Sequence, residues 1–146
     1  MNLTLITVGK IKNQNLLNEI FEIKKRINRL NHIELKDIKG KNIEEIKNQE
    51  FKEIKNHIKN NCYNILLLEH GKMINTFEFY DKLKKISTDV CFIITGPNGP
   101  NDELKNIVDE TLSLSKMTFT HEMAQMLLIE QIYRVQCIEK NIPYNK

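Results

Sequence analysis

Residues 90–100 read VCFIITGPNGP, five apolar positions that run directly into a loop of glycine and proline. A short apolar run bounded by turn residues is typical of a β-strand that is covered on both faces. Residues 63–68, YNILLL, have the same character, and residues 3–8, LTLITV, are rich in β-forming side chains. Segments with helical spacing separate these runs. The pattern therefore predicts an α/β fold, with a mostly parallel sheet and helices on both faces.

The spacing of apolar residues also predicts the other elements of the chain. Asn75 or Thr76 is expected to cap one helix, Asn101 or Asp102 another, and His70-Gly71 is expected to turn the chain after the strand at 63–68. The remaining predicted elements are a helix over 16–30, a strand over 33–38, a helix over 43–58, a helix over 77–86, a short helix over 104–108, a strand over 111–115 and a helix over 121–140.

Length and composition limit the classes of protein that this chain can represent. Its 146 residues predict one domain over 1–146, and its longest apolar runs fall far short of the ~20 residues of a membrane span. The N-terminus lacks the basic region of a signal sequence, so a cytoplasmic protein is expected. The net charge of +3 is too small to indicate nucleic-acid binding by itself. The three cysteines have no CxxC spacing, so no zinc site is predicted.

The greatest density of reactive side chains lies in residues 113–122, SLSKMTFTHE. Thr118 or Thr120 is expected to cap the last helix, which places His121 at a helix N-terminus, where anions are favoured. A capped loop with solvated polar groups is the alternative interpretation. The loop at 96–100 matches neither the dinucleotide-binding nor the P-loop spacing. His32 and His57 are interpreted as surface residues.

The predicted last helix is apolar on more than one face, including Met123, Leu127, Ile132 and Ile138. Such a helix is either deeply buried or lies in a subunit interface. For a chain of this size, the pattern favours a homodimer.

The C-terminal third resembles a specific family. Residues 113–122, then 128–134 (LIEQIYR), then Pro143-Tyr144 are similar to the small SPOUT-class methyltransferases that modify pseudouridine in bacterial 23S rRNA. Residues 8–10 (VGK) and the 67–72 segment fit the same family, and so does the length. The resemblance covers essentially the whole chain.

The resemblance implies a C-terminal trefoil knot, a homodimer built on the last helix, and S-adenosyl-L-methionine as cofactor. It implies methylation of N3 of pseudouridine 1915 in helix 69 of 23S rRNA, on the assembled 70S ribosome. No metal is required, because the cofactor's methyl group is already electrophilic. The cofactor contacts carried over from the family fall on Leu68, Thr95, Gly96, Leu114, Ser115, Lys116, Met117, Thr118 and Phe119.

Four residues are candidates for the chemistry that the resemblance implies. His121 is the first candidate for the base that accepts the N3 proton, with helix capping as its alternative role. Arg134 or Lys146 would steady a phosphate or the developing anion, and Tyr144 would stack on a base.

The chain departs from the family pattern at four positions: Thr95 replaces a usual glycine, Thr120 a proline, Gln125 a basic residue, and Asn145 a histidine. Two alternatives stay open, and the departures at Thr95, Gln125 and Asn145 bear on the first of them. One is a catalytically weak or inactive RNA- or ribosome-binding module on the same fold. The other is a nucleotide-binding regulatory domain of flavodoxin-like shape.

Overall fold

The computed structural model describes residues 1–145, which form five strands and five α-helices that alternate along the chain. In order they are β1 (Leu3–Val8), α1 (Gln14–Lys24), β2 (Leu30–Leu35), α2 (Ile43–Lys55), β3 (Cys62–Met73), α3 (Thr76–Lys85), β4 (Asp89–Ile94), α4 (Asp102–Ile107), β5 (Glu110–Ser113) and α5 (His121–Glu139).

All five strands lie in one sheet with the order β2-β1-β4-β3-β5. Every neighbouring pair is parallel, which confirms the predicted α/β class. Because the strands are parallel, their carboxyl ends meet at one edge of the sheet. Ligands of open α/β sheets bind at this edge.

Side-chain alternation along the strands builds a core on each face of the sheet. In β4, Val90, Phe92 and Ile94 pack with α1, α3 and α5, whereas Cys91 and Ile93 face the other way and pack with α2 and α4. The long helix α5 contacts both α1 and α3. Packing within a single chain therefore accounts for the apolar inner face of α5.

Side-chain caps start all five helices, and those of α3, α4 and α5 were among the predicted cap residues. Asn75 and Asn101 are the caps of α3 and α4, and Asn75 forms a reciprocal capping box with Glu78. Thr120, rather than Thr118, caps α5 by accepting a hydrogen bond from the N–H of Met123 at 3.2 Å.

Several predicted element ends were wrong. The helix over 16–30 ends at Lys24, and the helix over 43–58 ends at Lys55. Ile27 and Ile58 continue the apolar spacing because they pack against the core from the turns that follow these helices. The remaining shifts are small: the strand over 33–38 lies at Leu30–Leu35, the strand over 111–115 at Glu110–Ser113, the helix over 104–108 at Asp102–Ile107, the helix over 77–86 at Thr76–Lys85, and the helix over 121–140 at His121–Glu139.

The prediction that His70-Gly71 turns the chain was also wrong. Strand β3 continues through both residues to Met73. It pairs with β5 in two registers, because the partner of Leu112 shifts from Leu67 to Lys72. The turn signal marks a strand irregularity here, since glycine in a strand allows close backbone approach.

His32 is not the plain surface residue that was predicted. Its Nδ1 lies 2.7 Å from Nζ of Lys24, and its Nε2 lies 2.8 Å from Oγ1 of Thr7. An ammonium group can only donate, so Nδ1 accepts and the ring proton resides on Nε2. Burial and, secondly, the charge of Lys24 lower the pKa of His32 to about 4.

Other features of residues 1–145 concern cysteine, metals and membranes. Cys91 and Cys137 are buried free thiols, and Cys62 is a half-buried one. This part of the chain holds no group of three or more His, Cys, Asp and Glu side chains placed to bind a metal ion. None of its helices is long and apolar enough to cross a membrane.

The half-buried His32 predicts an acid-sensitive contribution to stability. The pKa of His32 in the folded chain, about 4, lies below the usual 6.5. Between these two pH values the unfolded chain binds a proton at His32 and the folded chain does not. This contribution is present above pH 6.5 and is lost as the pH falls toward 4. Between pH 7 and pH 5 the wild type should lose about 1–2 kcal/mol more unfolding free energy than His32→Gln. Urea unfolding measures this. His57→Gln is the matched control, and an equal pH slope in wild type and His32→Gln would contradict the prediction.

Candidate functional site

A cavity of about 290 Å³ opens at the carboxyl edge of the sheet. Three chain segments form its walls: residues 67–70 of β3, residues 94–100 after β4, and residues 112–119 after β5. His121 and Ala124, in the first turn of α5, complete it. The sheet topology thus brings together three segments that are distant in sequence.

The structure places most of the predicted site residues around this one cavity. Lys116 is the predicted cofactor contact that does not line it, and Arg134 and Tyr144 lie outside it. The predicted residues that line the cavity are Leu68, Thr95, Gly96, Leu114, Ser115, Met117, Thr118, Phe119 and His121.

Hydrogen bonds to Glu69 hold the segment after β5 against β3. The buried Ser113 hydroxyl lies 2.8 Å from the carbonyl oxygens of both Glu69 and Ser115, so one proton is shared between two acceptors. The Thr118 hydroxyl donates to Oε1 of Glu69 at 2.8 Å. These hydrogen bonds fix the backbone of the segment after β5. The side chains of Met117 and Phe119 in this segment remain 74% and 38% exposed. Exposed apolar side chains beside a cavity are suited to contact a ligand.

The turn after β4 is held by a carboxylate that the sequence analysis missed. Glu50 of α2 is only 4% exposed, and its Oε1 accepts a hydrogen bond from the N–H of Gly96 at 3.0 Å. A Cβ at Gly96 would lie 3.0 Å from that same oxygen, so glycine suits this position. One signal was available in the sequence: Glu50 lies on the buried stripe of α2, four residues from both Ile46 and Ile54.

The surroundings of Glu50 act on its pKa in opposite directions, with a net increase relative to an exposed glutamate. Burial raises the pKa of Glu50, and the charge of Asp37 raises it further. The Gly96 N–H and the charge of His121 act in the opposite direction and lower it. Perturbed carboxylates of this kind concentrate at functional sites.

The charges around the cavity limit what it can bind. Among residues 1–145, no lysine or arginine side chain lines it, and Glu69 is its carboxylate. Leu67, Leu68 and Ile94 supply apolar walls. Phosphate groups are normally bound by Arg, Lys or glycine-rich nests. The cavity suits an apolar or aromatic ligand without phosphate better than a nucleotide.

Arg134 and Tyr144 belong to a separate cluster along α5. Both donate hydrogen bonds to the Glu130 carboxylate, Arg134 from Nε at 3.0 Å and Tyr144 from its hydroxyl at 3.0 Å. Arg134 also donates to the Asn145 side chain at 3.1 Å, and the Tyr144 ring packs edge-on against Tyr133. Burial, with the Glu130 contact, raises the pKa of Tyr144. Lys146 lies outside the described residues.

Comparison with known proteins identifies relatives over the full chain. The family model described as "Predicted SPOUT methyltransferase" matches residues 1–145. A Fusobacterium nucleatum protein named ribosomal RNA large subunit methyltransferase H is 39% identical over 155 residues. A Clostridioides difficile protein of the same name is 39% identical over 159 residues. Each of these alignments covers 100% of both chains.

Solved structures share the fold at low sequence identity. The SpoU methyltransferase AviRb of Streptomyces viridochromogenes, solved in complex with AdoMet, matches with a TM-score of 0.52 and 11% identity, covering 92% of this chain and 58% of AviRb. A probable methylase family protein of Haemophilus influenzae matches with a TM-score of 0.58 and 10% identity, covering 99% of this chain and 70% of that protein. At these identities the matches support the fold alone.

The close approach of β3 and β5 at the cavity predicts that Gly71 tolerates no side chain. A Cβ there would lie 2.8 Å from the backbone N and C atoms of Leu112, which cannot move without breaking the strand pairing. Gly71→Ala should lower the free energy of unfolding by more than about 2 kcal/mol. Gly40→Ala is the matched control, because its Cβ would meet only the Ile46 side chain, at 3.3 Å. Urea unfolding of both variants tests this, and equal losses would contradict it.

Proposed function

Because this chain belongs to the SPOUT methyltransferase family, we propose that it transfers a methyl group from S-adenosyl-L-methionine to large-subunit ribosomal RNA. The proposed target is N3 of pseudouridine 1915 in helix 69 of 23S rRNA, within the assembled 70S ribosome. Curated relatives that are 39% identical over their full length are named ribosomal RNA large subunit methyltransferase H. With a ribosomal substrate, the location that we propose for the protein is the cytoplasm.

The observation that carries this proposal is the cavity at the carboxyl edge of the sheet. Its apolar walls fit an adenine ring, and its backbone-rich loops at 94–100 and 112–119 offer hydrogen-bonding groups to a nucleoside. The described residues bring no lysine or arginine to it, in keeping with a cofactor that has no phosphate. When bound, S-adenosylmethionine supplies an electrophilic methyl group. The eight predicted cofactor contacts that line the cavity are therefore proposed to bind the cofactor, together with Lys116, which lies between two of them in the sequence.

The chain's own contribution to the reaction is to position the base and accept a proton. His121 lines the cavity as the first residue of α5, and the Thr120 cap fixes where that helix begins. We assign to the His121 imidazole the proton that leaves N3 as the N–CH3 bond forms and the S–CH3 bond breaks. Alignment of the two reactants in one cavity lowers the barrier further.

We also propose a homodimer that uses the outer face of α5. Met123, Leu127, Arg134 and Ile138 lie along one helical stripe, and each is exposed or half-buried in the single chain. The buried face of α5 is already covered by α1 and α3, so this stripe, which is apolar except for Arg134, forms the outer side of the helix. Arg134 lies on the same helix and Tyr144 packs beside it, so we place this cluster near RNA in the proposed dimer.

Two features of the fold remain predictions from the family. The first is the trefoil knot, which the family forms with its C-terminal segment. The second is that residues 1–146 act as one SPOUT-like domain. The continuous five-stranded sheet and the packing of α5 on α1 and α3 support the second.

Methyl transfer to ribosomes tests the proposed function. Radiolabelled S-adenosylmethionine is incubated with the protein and with 70S ribosomes, 50S subunits or naked 23S rRNA that lack the modification. We expect label on 70S ribosomes, confined to the helix 69 pseudouridine. Cofactor binding without label on any RNA would instead favour a binding module on the same fold, made by the departures at Thr95, Gln125 and Asn145.

His121→Ala tests the proposed base. Loss of a positioned general base should lower kcat by roughly 10²- to 10⁴-fold, while the Kd for S-adenosylmethionine changes little. Single-turnover methylation gives the rate, and calorimetry gives the Kd. His57→Ala is the control, because His57 follows α2 and does not line the cavity. Unchanged turnover in His121→Ala would remove the base assignment.

A further inference from the structure

We propose that the buried Glu50 carboxylate makes the cavity prefer a cationic ligand, and so favours S-adenosylmethionine over its neutral product, S-adenosylhomocysteine. Glu50 is thus a specificity-determining residue that acts through the cavity wall rather than by touching the reacting atoms. This inference rests on the proposed function. It assigns a role to a residue that neither the sequence pattern nor the family resemblance had singled out.

The Glu50 side chain lies close to the cavity. Glu50 comes from α2, on the face of the sheet opposite α5, and reaches the turn that follows β4. Its Oε1 lies 3.0 Å from the Gly96 nitrogen, and Gly96 lines the cavity. The Gly96 peptide therefore lies between the carboxylate and the cavity. A charge at 4% exposure is weakly screened by solvent, so it acts over a longer distance than a surface charge.

A charged side chain at this buried position has an energetic cost. Burial of a carboxylate lowers stability, and a glutamine side chain would accept the same hydrogen bond from Gly96 without that charge. The hydrogen bond to Gly96 therefore does not explain why this residue is a glutamate. Glutamate differs from glutamine in its negative charge, and that charge can act on a ligand in the adjacent cavity.

Negative side chains predominate around the cavity. Within residues 1–145, no lysine or arginine lines the cavity to offset Glu50, and Glu69 adds a second carboxylate to the wall. The charged or titratable groups that act on Glu50 are Asp37, after β2, and His121, at the start of α5. Asp37 adds further negative charge, whereas His121 acts in the opposite direction. Because Glu50, Glu69 and Asp37 outnumber this one imidazole, the surroundings are suited to a positive ligand.

This charge matters because the proposed reaction changes the charge of the cofactor. S-adenosylmethionine carries a sulfonium cation. After the methyl group has moved to N3 and the N3 proton has left, the sulfur of S-adenosylhomocysteine is neutral. A fixed negative charge attracts the first form and not the second. The same carboxylate then favours binding of the methyl donor and release of the product.

Binding of the two cofactor forms separates this role from a structural one. Calorimetry gives the Kd of S-adenosylmethionine and of S-adenosylhomocysteine for the full-length wild type, Glu50→Gln and Glu50→Asp. Glu50→Gln keeps the acceptor for Gly96 and removes the charge. We expect the preference for S-adenosylmethionine to fall by about three- to tenfold in Glu50→Gln, through weaker binding of the cation alone. Glu50→Asp keeps the charge and should keep most of the preference.

Controls make each outcome decisive. Glu53→Gln changes an exposed glutamate on the same helix and should leave the preference unchanged. If Glu50→Gln weakens both ligands equally, Glu50 only holds the turn and the inference is overturned. If Glu50→Gln does not fold, Asp37→Asn replaces it, because removing that neighbouring exposed charge should reduce the preference in the same direction by a smaller factor. An unchanged ratio in Asp37→Asn then overturns the inference. Failure of the wild type to bind either ligand overturns the proposed function itself.

Discussion

The pairing of β3 with β5 is the constraint on which the rest of the site depends. Strand β3 runs on to Met73, and Gly71 allows its backbone to pass against Leu112 at a distance that no side chain would permit. This contact places Glu69 beside the chain that leaves β5, where Ser113 and Thr118 bind to it. The walls of the cavity at 67–70 and 112–119 are therefore fixed by one irregular strand pair. The turn after β4 supplies the third wall.

Much of the fold could be predicted from local patterns, because buried parallel strands have an unmistakable apolar signal. The runs at 63–68 and 90–94 both became central strands. Helix ends were less predictable, since Ile27 and Ile58 keep the helical spacing while packing from turns. The full length of β3 was not predictable either, because its second half is specified by a partner strand about forty residues away in the sequence.

The candidate site divides in the same way between local and long-range information. The segment at 113–122 was identifiable by its residue types. Leu68 and Thr95 were predicted to belong to the same site only through the family resemblance. Glu50 was missed because a glutamate in a charged helix is normally solvated, and its burial depends on Gly96, 46 residues later. His32 was misjudged for a related reason: Lys24 and Thr7 enclose it only after β1, β2 and α1 have assembled.

The central claim is that the three-walled cavity holds S-adenosylmethionine, and a crystal structure of the protein with that cofactor tests it most directly. The account predicts cofactor density in contact with residues 67–70, 94–97 and 114–119, with the sulfonium on the side of the cavity nearest Gly96 and Glu50. Density at any other surface, or a cavity closed by its own loops while the cofactor binds elsewhere, would contradict the account.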